Sequence, residues 1–94
     1  MRGSEKQIEW AQKIKPQVVA LAEDEMIQYS IGRGASDEFL GRLRAALSQA
    51  AGEQNAKFWI DGRLNGRTPD RETFKAINVL RHRTAEILKE NKNG

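Results

Sequence analysis

"AKFWIDGR", residues 56–63, sets Phe58, Trp59 and Ile60 side by side and then breaks off at an acid, a glycine and an arginine. At about 100° per residue, a helix spreads Ala56, Phe58, Trp59 and Ile60 over more than half its circumference. No single face collects them. A short helix of that kind packs on several sides at once, as a connector wedged among longer helices does. The alternative is an exposed aromatic surface for stacking or docking. Burying a Phe and a Trp removes roughly 150–250 Å² each from water, worth about 4–6 kcal/mol apiece at about 25 cal/mol per Å². Few other stretches of this chain supply as much. We therefore expect a short helix from Glu53 to Asp61 that plugs a hydrophobic core.

The helices that would close around the plug lie on both sides. Upstream, Ser4 with Gln7 three residues later has the form of a capping box, in which hydroxyl and amide side chains satisfy each other's backbone amides. From there Ile8, Trp10, Ala11, Ile14, Val18, Val19, Leu21, Ala22, Met26 and Tyr29 fall within one half of a helical wheel. The stripe runs across Pro16, which sits on the polar side, where water can satisfy the carbonyl it leaves unbonded. This pattern predicts a helix over residues 5–29, kinked at Pro16 and stopped by Gly32 and Gly34. Ser36 caps a second helix with Asp37 and Glu38 in its first turn, where the helix dipole favours acids. Phe39, Leu40, Leu43, Ala46, Leu47 and Ala50 form its apolar stripe, and Gly52 ends it.

Downstream of the plug, "GRLNGRTPDRE" (62–72) interrupts the periodicity. Asn65-Gly66 signals a turn, and Thr68-Pro69 reads as a helix start with Thr as cap and Pro at the first helical position. The last helix is expected from Pro69 to Glu90, with Phe74, Ile77, Leu80, Thr84, Ile87 and Leu88 buried. Residues 91–94 should fray, and residues 1–3 carry the look of a leader. No strand-like alternation occurs. The fold class is all-α: a single domain over 1–94, a compact bundle of three long helices plus one short connecting helix. Its expected core includes Trp10, Phe39, Leu43, Phe58, Trp59, Ile60, Phe74 and Ile77.

Composition narrows the chemistry. With 38% hydrophobic and 31% charged residues, the 94-residue chain is polar yet outside the disordered range. No apolar run approaches the roughly 20 residues of a membrane span, and the N-terminus lacks a signal-like hydrophobic stretch. Cysteine is absent, which removes disulfides, thiolate catalysis and the common zinc sites, and fits a cytoplasmic location. His82 is the single histidine and falls on the polar side of the last helix. The acidic run Glu23-Asp24-Glu25 points its side chains in different directions and lacks calcium-loop spacing. The glycines of "IGRGAS" and "GRLNGR" do not have the order of a phosphate loop. These features predict no enzyme, no catalytic residue, no metal and no cofactor.

What remains is charge. Residues 1–50 hold seven Lys/Arg and seven Asp/Glu, whereas residues 51–94 hold nine and six, so the formal net charge of +3 resides in the second half. Arg63 and Arg67 in the loop, with Arg71, Lys75 and His82 along the last helix, form the candidate anion- or partner-binding set. Asp70 and Glu72 oppose it by neutralising the same helix end.

The stretch "GSEKQIEWAQKIK" together with the later Trp59-Ile60-Asp61 resembles a GSxKQIxWA…WID pattern of small uncharacterised helical proteins of bacteria and prophages. The matching positions are Gly3, Ser4, Lys6, Gln7, Ile8, Trp10 and Ala11, then Trp59, Ile60 and Asp61. The resemblance implies no catalytic residues. A phage or mobile-element origin would imply a small inhibitor of a host nucleoprotein, as anti-CRISPR proteins are, or an accessory subunit of such a complex. The expected function is thus a non-enzymatic protein-binding module, with a nucleic-acid-binding domain using the basic 57–83 region as the alternative.

Overall fold

The computed structural model describes residues 2–64 and 68–93. Four helices follow in order: α1 (Glu5–Gly32), α2 (Asp37–Gly52), α3 (Ala56–Asp61) and α4 (Arg71–Asn93). The capping box at the start of α1 forms as the sequence predicts. Ser4 Oγ accepts from the Gln7 amide at 3.2 Å, and the Ser4 amide donates to Gln7 Oε1 at 3.1 Å. The helix continues through Pro16, which lies on its exposed side. It runs past the expected last residue, 29, and ends at Gly32. The stop is Gly34, at φ 82°, where the Gly34 amide donates to the Ile31 carbonyl (2.9 Å) and the Ala35 amide to the Ser30 carbonyl (3.0 Å). That pair of bonds is a Schellman termination, and it needs a left-handed residue at Gly34. Ser36 then caps α2, accepting from the Phe39 amide at 3.2 Å.

The starts of α3 and α4 fall later than expected. Glu53 closes α2, and Asn55 caps α3 by accepting from the Phe58 amide at 2.9 Å. Helix α4 is capped by Asp70, two residues beyond Thr68, and Pro69 stays outside the helix. Asp70 Oδ1 accepts from the Thr73 amide at 3.0 Å, and Thr73 Oγ1 accepts in return from the Asp70 amide at 3.3 Å. The same hydroxyl donates to the Arg63 carbonyl at 3.0 Å. This bond ties the capped first turn of α4 to the residue just beyond α3.

Trp59 is the plug: it is fully buried, the largest side chain that is. Phe58 meets it edge-on at 4.9 Å between ring centroids, and the Lys15 ammonium stands 5.8 Å over the indole. Leu43 and Ile77 are buried, while Phe39, Phe58 and Ile60 are partly buried against the core. Two expected core residues are not core. Trp10 is 48% exposed and Phe74 is 51% exposed. The buried line of α1 is Ala11, Ile14, Val18, Ala22 and Met26, narrower than half the wheel, and Trp10 stands about 100° from Ala11. Phe74 is displaced by the same angle from buried Thr73. Tyr29, placed on the α1 stripe by the wheel, is also exposed.

α1 contacts α2, α3 and α4, and α2 and α3 each contact α4. The Cα extents of 40 × 29 × 17 Å describe a slab about two helices thick, since packed helix axes stand about 8–10 Å apart. Every long helix therefore keeps one open side. At the plug end, Gly62 brings α3 against α4 so closely that a Cβ there would stand 2.6 Å from the Ala76 Cβ. The Ala56 amide donates to the Arg2 carbonyl at 2.8 Å, tying the N-terminal residues to α3.

Candidate functional site

The basic set read from the sequence is not gathered into one site. Arg63 turns toward α1, donating from Nη1 to the Ile60 carbonyl at 2.8 Å and laying its guanidinium 5.3 Å over the Trp10 ring. Arg67 lies outside the described residues. Arg71, Lys75 and His82 are exposed on one side of α4, and Lys75 pairs with Glu72 at 3.2 Å. The other α4 arginines tie helices together. Arg81 reaches Glu25 of α1 at 3.4 Å, and Arg83 grips both Glu53 oxygens, at 2.7 and 3.0 Å, and touches Glu86 at 3.2 Å. The Arg83 hydrogen bonds hold the Glu53 carboxyl below its ordinary range, and its positive charge adds to the effect. Asp70 is held low as well, chiefly by the Thr73 amide. Its charge is thus committed to capping α4. Among the described residues no three of His, Asp and Glu come together as a metal site.

One concave feature was not revealed by the sequence. Between the C-terminal halves of α1 and α4, with α2 as floor, lies a cavity of about 500 Å³. Met26 and Tyr29 line one wall, Thr84, Ala85 and Leu88 the other, and Leu43 the bottom. The Glu25–Arg81 pair is also part of its wall. A second hollow of about 330 Å³ adjoins it across Tyr29 and Ser30, reaching Arg33, Ala35 and Phe39. Tyr29 stands between the two, 66% exposed, with its hydroxyl accepting from Arg33 Nη1 at 3.2 Å. Thr84 is buried and satisfies its hydroxyl on the Leu80 carbonyl at 2.6 Å, so it lines the cavity without an unpaired polar atom.

Such a surface has an apolar floor, an exposed aromatic and arginines at the rim, which is the composition of protein interfaces. Ala85, exposed on α4, is the small residue of its wall. The wheel alone hints at this surface, since Tyr29 follows Met26 by three residues. No protein-family model matches the chain, and comparison with curated proteins and with solved structures returns no match.

Proposed function

We propose that the protein is a non-enzymatic protein-binding module that receives a single amphipathic helix of a partner in the groove between α1 and α4. The observation that carries this is the apolar cavity of about 500 Å³ lined by α1 and α4 residues, with Leu43 of α2 among them. A helix laid there would add a further helix to the slab and cover Tyr29. Arg33 and Arg81 stand at the two hollows against one acid, Glu25, so the fitting helix carries acidic side chains beside its apolar stripe. The resemblance to small bacterial and prophage proteins suggests the biological form: an inhibitor or accessory subunit docking on a host nucleoprotein. No described helix is long and apolar enough to cross a membrane.

The test is position-specific photocrosslinking in cells. A photoreactive phenylalanine at position 29 should give one discrete adduct with a protein, lost on Ala85→Arg, which fills the groove from an exposed position. The same probe at Gln49, exposed on α2, should give none. Equal adducts from 29 and 49, or none from 29, would remove the groove as the docking site.

A further inference from the structure

The two aromatic residues that leave the core, Trp10 and Phe74, stand at the same end of the molecule. Arg63 joins them. Its guanidinium lies 5.3 Å over the Trp10 ring, and its carbonyl takes the hydroxyl of Thr73, the residue before Phe74, at 3.0 Å. On α1, Lys6 precedes Trp10 by four residues and Lys13 follows it by three, which sets both on the Trp10 side of the helix. Both lysines are exposed. Arg71 is exposed at the first turn of α4, next to the same anchor. Exposed rings and cations therefore both occur at this end, remote in the fold from the groove at the C-terminal half of α1.

We infer that this end binds single-stranded nucleic acid, with bases stacked on Trp10 and Phe74 and phosphates held by Lys6, Lys13, Arg63 and Arg71. Neither ring has a core function to explain it, and leaving a tryptophan half exposed forgoes burial energy that this small core could use. Arg63 covers one part of the indole and is itself fixed by the Ile60 carbonyl, so the cation is already oriented when a base arrives. Base–aromatic stacking tolerates any sequence, because every base has a π face, while the cations follow the backbone. Unpaired bases fit better than duplex, because exposed rings offer stacking that paired bases cannot use. The local acids moderate the field. Glu72 is taken by Lys75 and Asp70 by its cap, whereas Glu5, Glu9 and Asp61 border the patch. Affinity is accordingly expected in the range of non-specific binding, roughly 10⁻⁴–10⁻⁶ M at physiological salt, and tighter at low salt. This site stands independently of the groove, and the two together would suit a subunit that bridges a protein and a strand.

The experiment is fluorescence anisotropy with labelled 15-nucleotide oligothymidylate, oligouridylate and a duplex of equal length, from about 50 to 200 mM salt. Trp59 is fully buried, so quenching of tryptophan emission on titration reports Trp10. Binding of the single strands over the duplex is expected, with quenching, and about tenfold weaker binding for Trp10→Ala. Lys6→Gln/Lys13→Gln should lower the slope of log affinity against log salt by about 1.4, at about 0.7 per phosphate contact. That pair alters only exposed side chains, so its result stands even if Trp10→Ala does not fold. Arg42→Gln, exposed on α2, should change nothing. No binding at 50 mM salt, equal preference for duplex, or an unchanged salt slope in the double-lysine variant would each overturn the inference.

Discussion

The two tryptophans of this chain show what decides burial. Trp59 lies in a six-residue helix, Ala56–Asp61, whose apolar groups point in several directions, and it is enclosed completely. That was legible, because a short segment apolar all round has no stable place except between other elements. Trp10 lies on a long helix that has neighbours on one side, and a wheel cannot say how wide that side is. Trp59→Ala should therefore cost about 3–5 kcal/mol, the range for emptying a large buried aromatic site, measured by chemical denaturation. A loss below about 1 kcal/mol with an intact helical spectrum would mean that the plug is not structural. The close approach at Gly62 gives a second residue-scale prediction. Gly62→Ala forces its new methyl to within 2.6 Å of the Ala76 Cβ, and the Phe58 carbonyl lies only 3.3 Å away on another side. Overpacking of this kind costs about 1–3 kcal/mol. Adding Ala76→Gly should recover part of it, and the recovery, read as the coupling in a double-mutant cycle, should vanish if the two helix segments do not touch.

At the scale of the helix, caps written in local sequence were legible and caps chosen by tertiary contacts were not. Ser4 with Gln7 and Ser36 with its acids declared the starts of α1 and α2 correctly. The expected first residue of α3, Glu53, gave way to a start after the Asn55 cap, and the expected cap of α4, Thr68, gave way to Asp70. Glu53 is drawn off by Arg83, and Thr73 ties the Asp70 cap to the Arg63 carbonyl, partners thirty and ten residues away in sequence. The ending of α1 yields a prediction with two signs. Gly34 sits at φ 82° with nothing within 4 Å of a Cβ built there, so Gly34→Ala meets backbone strain alone, about 1–2 kcal/mol destabilising. Gly41, inside α2 and equally open, has an ordinary helical backbone. Gly41→Ala should stabilise by about 0.5–1 kcal/mol. Thermal melts of the two variants check both; shifts of the same sign would contradict the assigned termination.

Across the whole molecule, the candidate surfaces were the least legible part. The basic character of residues 57–83 was visible as composition. What each cation does was not, because Arg81–Glu25 and Arg83–Glu53 join residues far apart in sequence, and the groove is built from residues of α1, α2 and α4 together. These pairings make stability depend on pH in a definite direction. Glu53 and Asp70 both titrate below their ordinary values in the folded protein, the first through Arg83 and the second through the Thr73 amide. Each binds its proton more readily when unfolded, at about 4.3 for a Glu and about 3.9 for an Asp. Their stabilisation is complete above roughly pH 5, declines as pH falls through the carboxylate range, and is gone below both folded values. The melting temperature should hold level for these groups from about pH 7 to 5 and drop toward pH 3. Asp70→Asn preserves a capping oxygen while removing the titration, and Glu53→Gln removes the charge that meets Arg83. Each should melt lower than the parent at neutral pH yet lose less on acidification, so the curves approach one another as pH falls through the carboxylate range. Curves that stay parallel across the range would show that neither carboxylate is coupled to folding, and with that the Arg83 tie between α2 and α4 would lose its assigned part in holding the slab together.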